Sequence, residues 1–141
     1  PTQELRNQGV RMKLSAVSSI VNQKRVIMID DSIVRGTTSK RIVTLLKEAG
    51  ATEVHVRIAS PAIKYPCFYG VDTSTLDELI SHKMTIQELC AYIGADSLAF
   101  ISEEGLQKSI HFEKEHTCDL CMACFNIKYV TPLYDNDFQD D

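Results

Sequence analysis

Two groups of residues in this sequence have types and spacings suited to chemistry. The first lies in "VIMIDDSIVRGTTS" (26–39), where a greasy run ends in the adjacent carboxylates Asp30 and Asp31. A loop follows with Ser32, Val34, Arg35, Gly36, Thr37, Thr38 and Ser39. A helix starting near Thr38 would offer unpaired N–H groups and the positive end of its dipole, which together make an anion site. Gly36 lets the backbone come close to a ligand, and Thr37, Thr38 and Ser39 add hydroxyl donors. Asp30 and Asp31 would repel the same anion, so they must face another part of the ligand: a vicinal diol, a bound Mg²⁺, or both. A sugar phosphate with a diol and a chelated metal meets every requirement. The loop has neither the G-x-x-x-x-G-K-[ST] of nucleotide-hydrolysing P-loops nor the G-x-G-x-x-G of dinucleotide folds.

The second group is Cys118, Cys121 and Cys124, spaced C-x-x-C-x-x-C, with Cys67 and Cys90 earlier in the chain. Five cysteines and no export signal argue against a disulfide framework and for a metal or cluster. Cys67, Cys118, Cys121 and Cys124 could form a four-thiolate site, for which zinc and an iron–sulfur cluster are both suitable occupants. Cys90, on the apolar side of "TIQELCAYIG", reads as a core residue. His111 and His116 receive no role.

The elements that must position these groups follow from periodicity. "RVIMID" (25–30) reads as a strand buried on both faces of a parallel sheet. "TSKRIVTLLKEAG" has helical spacing, with Gly50 as its C-terminal cap. "EVHVRIAS" alternates Val54, Val56 and Ile58 with His55 and Arg57, as a second strand would. The three form a βαβ unit with the acidic loop at a strand's carboxyl end, where open α/β sheets bind ligands. "TLDE" and "TIQE" both match the capping box, pairing Thr75 with Glu78 and Thr85 with Glu88. "SLAFI" (97–101) reads as another strand and "SEEGLQKSI" as a short helix opened by Ser102.

Composition bounds the function. The 141 residues suffice for one domain with a core, and a net charge of −4 argues against a nucleic-acid binder. Residues 1–25 nevertheless hold five bases (Arg6, Arg11, Lys13, Lys24, Arg25) against Glu4, a balance suited to a small anionic ligand. No apolar run has the length of a membrane span, and the chain opens on Pro1, as a piece of a longer cytoplasmic protein would.

With these residues in view, the sequence resembles the type I phosphoribosyltransferases, whose 5-phosphoribosyl pyrophosphate (PRPP) motif "VIMIDDSIVRGTTS" matches. "PTQELRNQGVRMKLSAV", "EAGATEVHVRIASP", "YPCFYGVDTST" and "IGADSLAFIS" extend the likeness to the iron–sulfur class of the glutamine PRPP amidotransferases. The resemblance implies an α/β, Rossmann-like parallel sheet flanked by helices, of which this chain carries the C-terminal part. Residues 1–20 would be the trailing part of a flexible PRPP loop, 21–110 phosphoribosyltransferase domain, and 111–141 a cluster-binding segment. Asp30 and Asp31 would hold ribose hydroxyls and Mg²⁺, while Val34 through Ser39 cradle the 5′-phosphate. Arg6, Arg11 and Lys13 could meet pyrophosphate or an inhibitory nucleotide, or simply be solvated.

Cys67, Cys121 and Cys124 would be three ligands of a [4Fe-4S] cluster, with the fourth upstream of Pro1. Cys118 is extra to that pattern, more a bystander than a ligand. The family transfers glutamine-derived ammonia to PRPP in the first committed step of purine synthesis, forms homo-oligomers and responds to purine nucleotides. The ammonia would come from a glutaminase domain this chain lacks, and no residue here is an evident catalytic acid or base. Two other readings are a regulatory PRPP-binding module and a zinc-stabilised interaction domain.

Overall fold

The apolar run Arg25–Asp30 forms strand β1, and the alternating run Glu53–Ile58 forms β2 beside it, parallel and in register from Arg25↔Glu53 to Asp30↔Ile58. Ser97–Phe100 forms β3, parallel to β2, giving a three-stranded sheet in the order β1-β2-β3. The computed structural model describes residues 16–71, 75–110 and 120–132. The basic residues Arg6, Arg11 and Lys13, together with His111, His116 and Cys118, lie outside the described residues.

A short helix, α1 (Ser18–Val21), leads into β1. The crossover from β1 to β2 is α2 (Thr37–Glu48), as the helical spacing predicts. Ala49 is its cap, and Gly50 follows at φ +97°, where its N–H closes the helix end on the Lys47 carbonyl at 3.0 Å. After β2 come a 3₁₀ turn (Leu76–Glu78), then α3 (Ile80–Lys83) and α4 (Ile86–Ile93). Helix α5 (Glu103–Ser109) follows β3, opened by the Ser102 hydroxyl, which accepts from the Gly105 N–H at 3.0 Å. A last turn, α6, spans Ala123–Asn126.

The two capping-box matches part company. Thr85 and Glu88 make the full reciprocal box at the start of α4. Thr75 makes no side-chain cap, because the Glu78 carboxylate is bound to Arg35 and only a three-residue turn follows. Physically, a capping box needs a helix whose orphan amides repay the pairing.

One face of the sheet carries Met28, Val54, Val56 and Ile58, which form the core with Val43 of α2 and Leu89 and Ile93 of α4. Val54 and Val56 have no exposed surface. The expectation that β1 is buried on both faces fails. Ile27 and Ile29 are 66% and 76% exposed, because among the described residues no helix covers that face of the sheet. Side chains alternate across a strand, so covering one face buries only every second residue of the run.

Candidate functional site

The acidic loop lies around one cavity, and Cys67, Cys121 and Cys124 lie around another. The first is a cavity of about 270 Å³ lined by the unbroken stretch from Asp30 to Ser39. Ten consecutive residues can line one hollow because the chain turns twice. At the end of β1, Asp30 Oδ1 accepts from the Asp31 N–H at 3.0 Å, and Asp31 Oδ1 accepts from the Ser32 N–H at 2.6 Å. Ser32 Oγ adds a contact of 3.3 Å to the same Asp31 oxygen. These local bonds hold the two carboxylates at the carboxyl end of the strand, half-buried at Asp30 and exposed at Asp31.

The second turn is at Gly36, with φ +73°. That left-handed conformation disfavours a side chain, and space forbids one as well. A Cβ there would lie 3.0 Å from Ile80 Cδ1 and 3.3 Å from Tyr92 Cε1. Gly36 is the N-cap of α2, and its carbonyl accepts the first helical bond from the Lys40 N–H at 2.9 Å. It has no side chain to cap the first-turn amides, and no acidic residue stands in that turn. The N–H groups of the first turn are therefore left for an anion. Thr37 and Thr38 are exposed beside them, while Ser39 lines the cavity but is only 2% exposed.

Two contacts that sequence reasoning missed hold this loop from outside. The Ile80 N–H donates to the Val34 carbonyl at 2.9 Å, and Arg35 Nη2 meets Glu78 Oε2 at 2.6 Å. The partners lie more than forty residues away, and no local pattern marks them.

The second cavity, about 530 Å³ and mainly apolar, is lined by Cys67, Cys121, Cys124, Tyr69 and Tyr129 among others. The carbonyl of Cys124 accepts from the N–H groups of both Lys64 and Tyr65, at 2.9 and 3.1 Å. Tyr129 Oη donates to the Pro66 carbonyl at 2.8 Å, and the Thr131 N–H donates to Tyr69 Oη at 3.1 Å. The cysteine-bearing segment is thus docked on the loop around Cys67. Burial pushes the Cys124 thiol up, and the neighbouring Cys67 and Cys121 push it the same way. Burial also raises the Tyr129 phenol to about 12.

Cys90, Cys121 and Cys124 are in no disulfide among the described residues. Among the described residues, no three His, Cys, Asp or Glu side chains are grouped as ligands of a single metal ion. The donor chemistry of Cys67, Cys121 and Cys124 around one cavity nevertheless suits a thiolate-held cluster. Cys90, half-buried on α4, is directed instead to the Ala95 carbonyl at 3.3 Å.

A parallel α/β sheet with an acidic strand end and an anion-ready helix start at its carboxyl edge is the architecture of a type I phosphoribosyltransferase fold. No family model matches the chain. Its sequence is 60% identical over 135 residues to an amidophosphoribosyltransferase of Bacillus subtilis (strain 168), covering 95% of this chain and 28% of that protein. It is 55% identical over 136 residues to the amidophosphoribosyltransferase of Staphylococcus aureus (strain Mu50 / ATCC 700699), covering 96% of this chain and 28% of that one.

Among solved structures, the glutamine PRPP amidotransferase from B. subtilis complexed with ADP and GMP superposes with a TM-score of 0.84 at 59% identity. That match covers 96% of this chain and 30% of the other. A structure described as the allosteric regulatory enzyme of purine biosynthesis gives 0.83 at 57% identity, covering 98% of this chain and 30% of that one. Over its span the chain is similar in sequence and in fold to these amidophosphoribosyltransferases. That span is somewhat over a quarter of the length of the curated relatives it matches.

Proposed function

We propose that this chain supplies the PRPP site, and part of the active centre, of an enzyme that transfers glutamine-derived ammonia to PRPP. The products are 5-phosphoribosylamine, glutamate and pyrophosphate, in the first committed step of purine biosynthesis. The observation that supports this reading is the single cavity lined by Asp30 through Ser39. Its acidic end suits the ribose diol and the Mg²⁺ that accompanies the substrate, and its helix end suits the 5′-phosphate. Among the described residues no side chain is positioned as a general acid or base. The chain's contribution to rate is orientation of C1 for attack by ammonia and electrostatic support of the departing pyrophosphate.

Cys67, Cys121 and Cys124 would hold a [4Fe-4S] cluster with a fourth thiolate from elsewhere, and it would tie residues 120–132 to the loop around Cys67. Purine nucleotides, which share a 5′-phosphate with PRPP, would compete for the same loop. The assembly would be a cytoplasmic homo-oligomer, its ammonia coming from a glutaminase domain. Among the described residues no helix is long and apolar enough to cross a membrane.

The test is calorimetric titration of the intact protein with PRPP and Mg²⁺. Saturable binding is expected, abolished when Asp30→Asn and Asp31→Asn are combined. Unchanged affinity in that double variant would defeat the reading.

A further inference from the structure

We infer that Arg35 is a positioning residue: its side chain is clamped by Glu78 to fix the loop, and only its backbone serves the phosphate. The inference rests on the PRPP reading above. An arginine inside an anion loop is ordinarily taken as a ligand, because its planar fork matches phosphate oxygens. Here the guanidinium is engaged by Glu78, although Arg35 also borders the Asp30–Ser39 cavity. It reaches Glu78 Oε2 at 2.6 Å and lines a separate cavity of about 320 Å³ with Asp77, Ile80, Lys83 and Tyr92. Neither aspartate of the strand end borders that cavity.

The contact belongs to a set. Three successive loop residues lean on one later stretch of chain: Val34 through its carbonyl on the Ile80 N–H, Arg35 through its side chain on Glu78, and Gly36 by close packing on Ile80 and Tyr92. The 3₁₀ turn that carries Glu78 is itself tied to α3, where Asp77 Oδ1 meets Lys83 Nζ at 3.1 Å. Backbone, charge and packing therefore all fix the loop relative to the same neighbour. The Arg35 and Glu78 side chains are 57% and 42% exposed, so the pair adds little to global stability. Its effect falls on where the loop amides point, and so on affinity.

The deciding experiment is a charge swap. PRPP with Mg²⁺ is titrated calorimetrically into the intact wild type, Arg35→Glu, Glu78→Arg and the double swap, with urea midpoints measured alongside. Each single variant is expected to weaken binding by about five- to tenfold, on the scale of one charge-assisted contact. The swap is expected to return to within about twofold of wild type, because the clamp is rebuilt in reverse. Urea midpoints should stay close together throughout.

If the swap binds as weakly as Arg35→Glu, the guanidinium touches phosphate and the inference falls. It falls equally if neither single variant changes affinity. Should a charge-reversed variant fail to fold, the neutral set Arg35→Gln, Glu78→Gln and their double decides. A double no weaker than either single supports the clamp, and additive losses overturn it. Wild type that binds no PRPP would instead remove the functional reading itself.

Discussion

Gly36 and Ile80 are so close that a Cβ on the glycine would stand 3.0 Å from the isoleucine's Cδ1. Gly36 also has φ +73°, so Gly36→Ala meets strain and crowding together. The substitution is expected to cost about 1–2 kcal/mol in urea denaturation, the usual scale for such backbone strain. It should also weaken PRPP binding more than any stability loss explains, since relief requires the loop to move off α3. Affinity at the wild-type value would show that the loop tolerates the shift.

The capping box at the head of α4 yields a prediction confined to stability. Thr85 Oγ1 accepts from the Glu88 N–H at 3.3 Å, and the Glu88 carboxylate accepts from the Thr85 N–H at 2.8 Å. Thr85→Ala is expected to cost about 1 kcal/mol, the common value for a lost N-cap. Thr75→Ala should cost almost nothing, since Thr75 makes no side-chain cap. Equal losses at the two sites would contradict the structure.

Asp96 gives the pH dependence. The Val54 N–H donates to its carboxylate at 2.7 Å, and this bond, with Lys47 nearby, holds the carboxyl below its ordinary 3.8. A carboxyl depressed in the folded state contributes stability above its unfolded value, and the contribution is lost as pH falls through the folded value. Thermal midpoints should therefore drop on acidification below about pH 4. In Asp96→Asn the drop should be shallower, with a lower plateau near neutrality. An unchanged acid limb would remove Asp96 from the account.

The cysteine cavity predicts its contents. Protein purified without oxygen is expected to carry iron and acid-labile sulfide at about four each per chain, the stoichiometry of one [4Fe-4S] cluster. Serine at Cys67, Cys121 or Cys124 should abolish the visible absorption, while Cys118→Ser should leave it. Zinc in place of iron would support the zinc-stabilised alternative and leave the PRPP loop untouched.

Much of the fold could be read from periodicity because the βαβ unit is local. Val54, Val56 and Ile58 alternate, α2 has its apolar residues at helical spacing, and Ser102 and Thr85 announce their helices. The acidic pair and its loop were legible for the same reason, since the residues lining their cavity, Asp30 to Ser39, are consecutive. What escaped depends on partners far along the sequence. Glu78 matches a cap in "TLDE", yet its carboxylate is taken by a residue 43 positions earlier. The run of β1 looks suited to burial on both faces, but its exposure is set by what lies beside it, which composition does not encode. Tyr69 and Tyr129 border the cysteines only once the later segment has docked.

That docking has a kinetic side. The amides of Lys64 and Tyr65 sit in a loop after β2, outside any helix or strand, and both bond to the carbonyl of Cys124. Their hydrogen exchange should therefore follow opening of the cysteine-bearing segment, whereas Val56, fully buried in β2, should exchange only when the sheet opens. Two ordinary amide protons become a gauge of how often that segment lifts away, readable without any metal or substrate present.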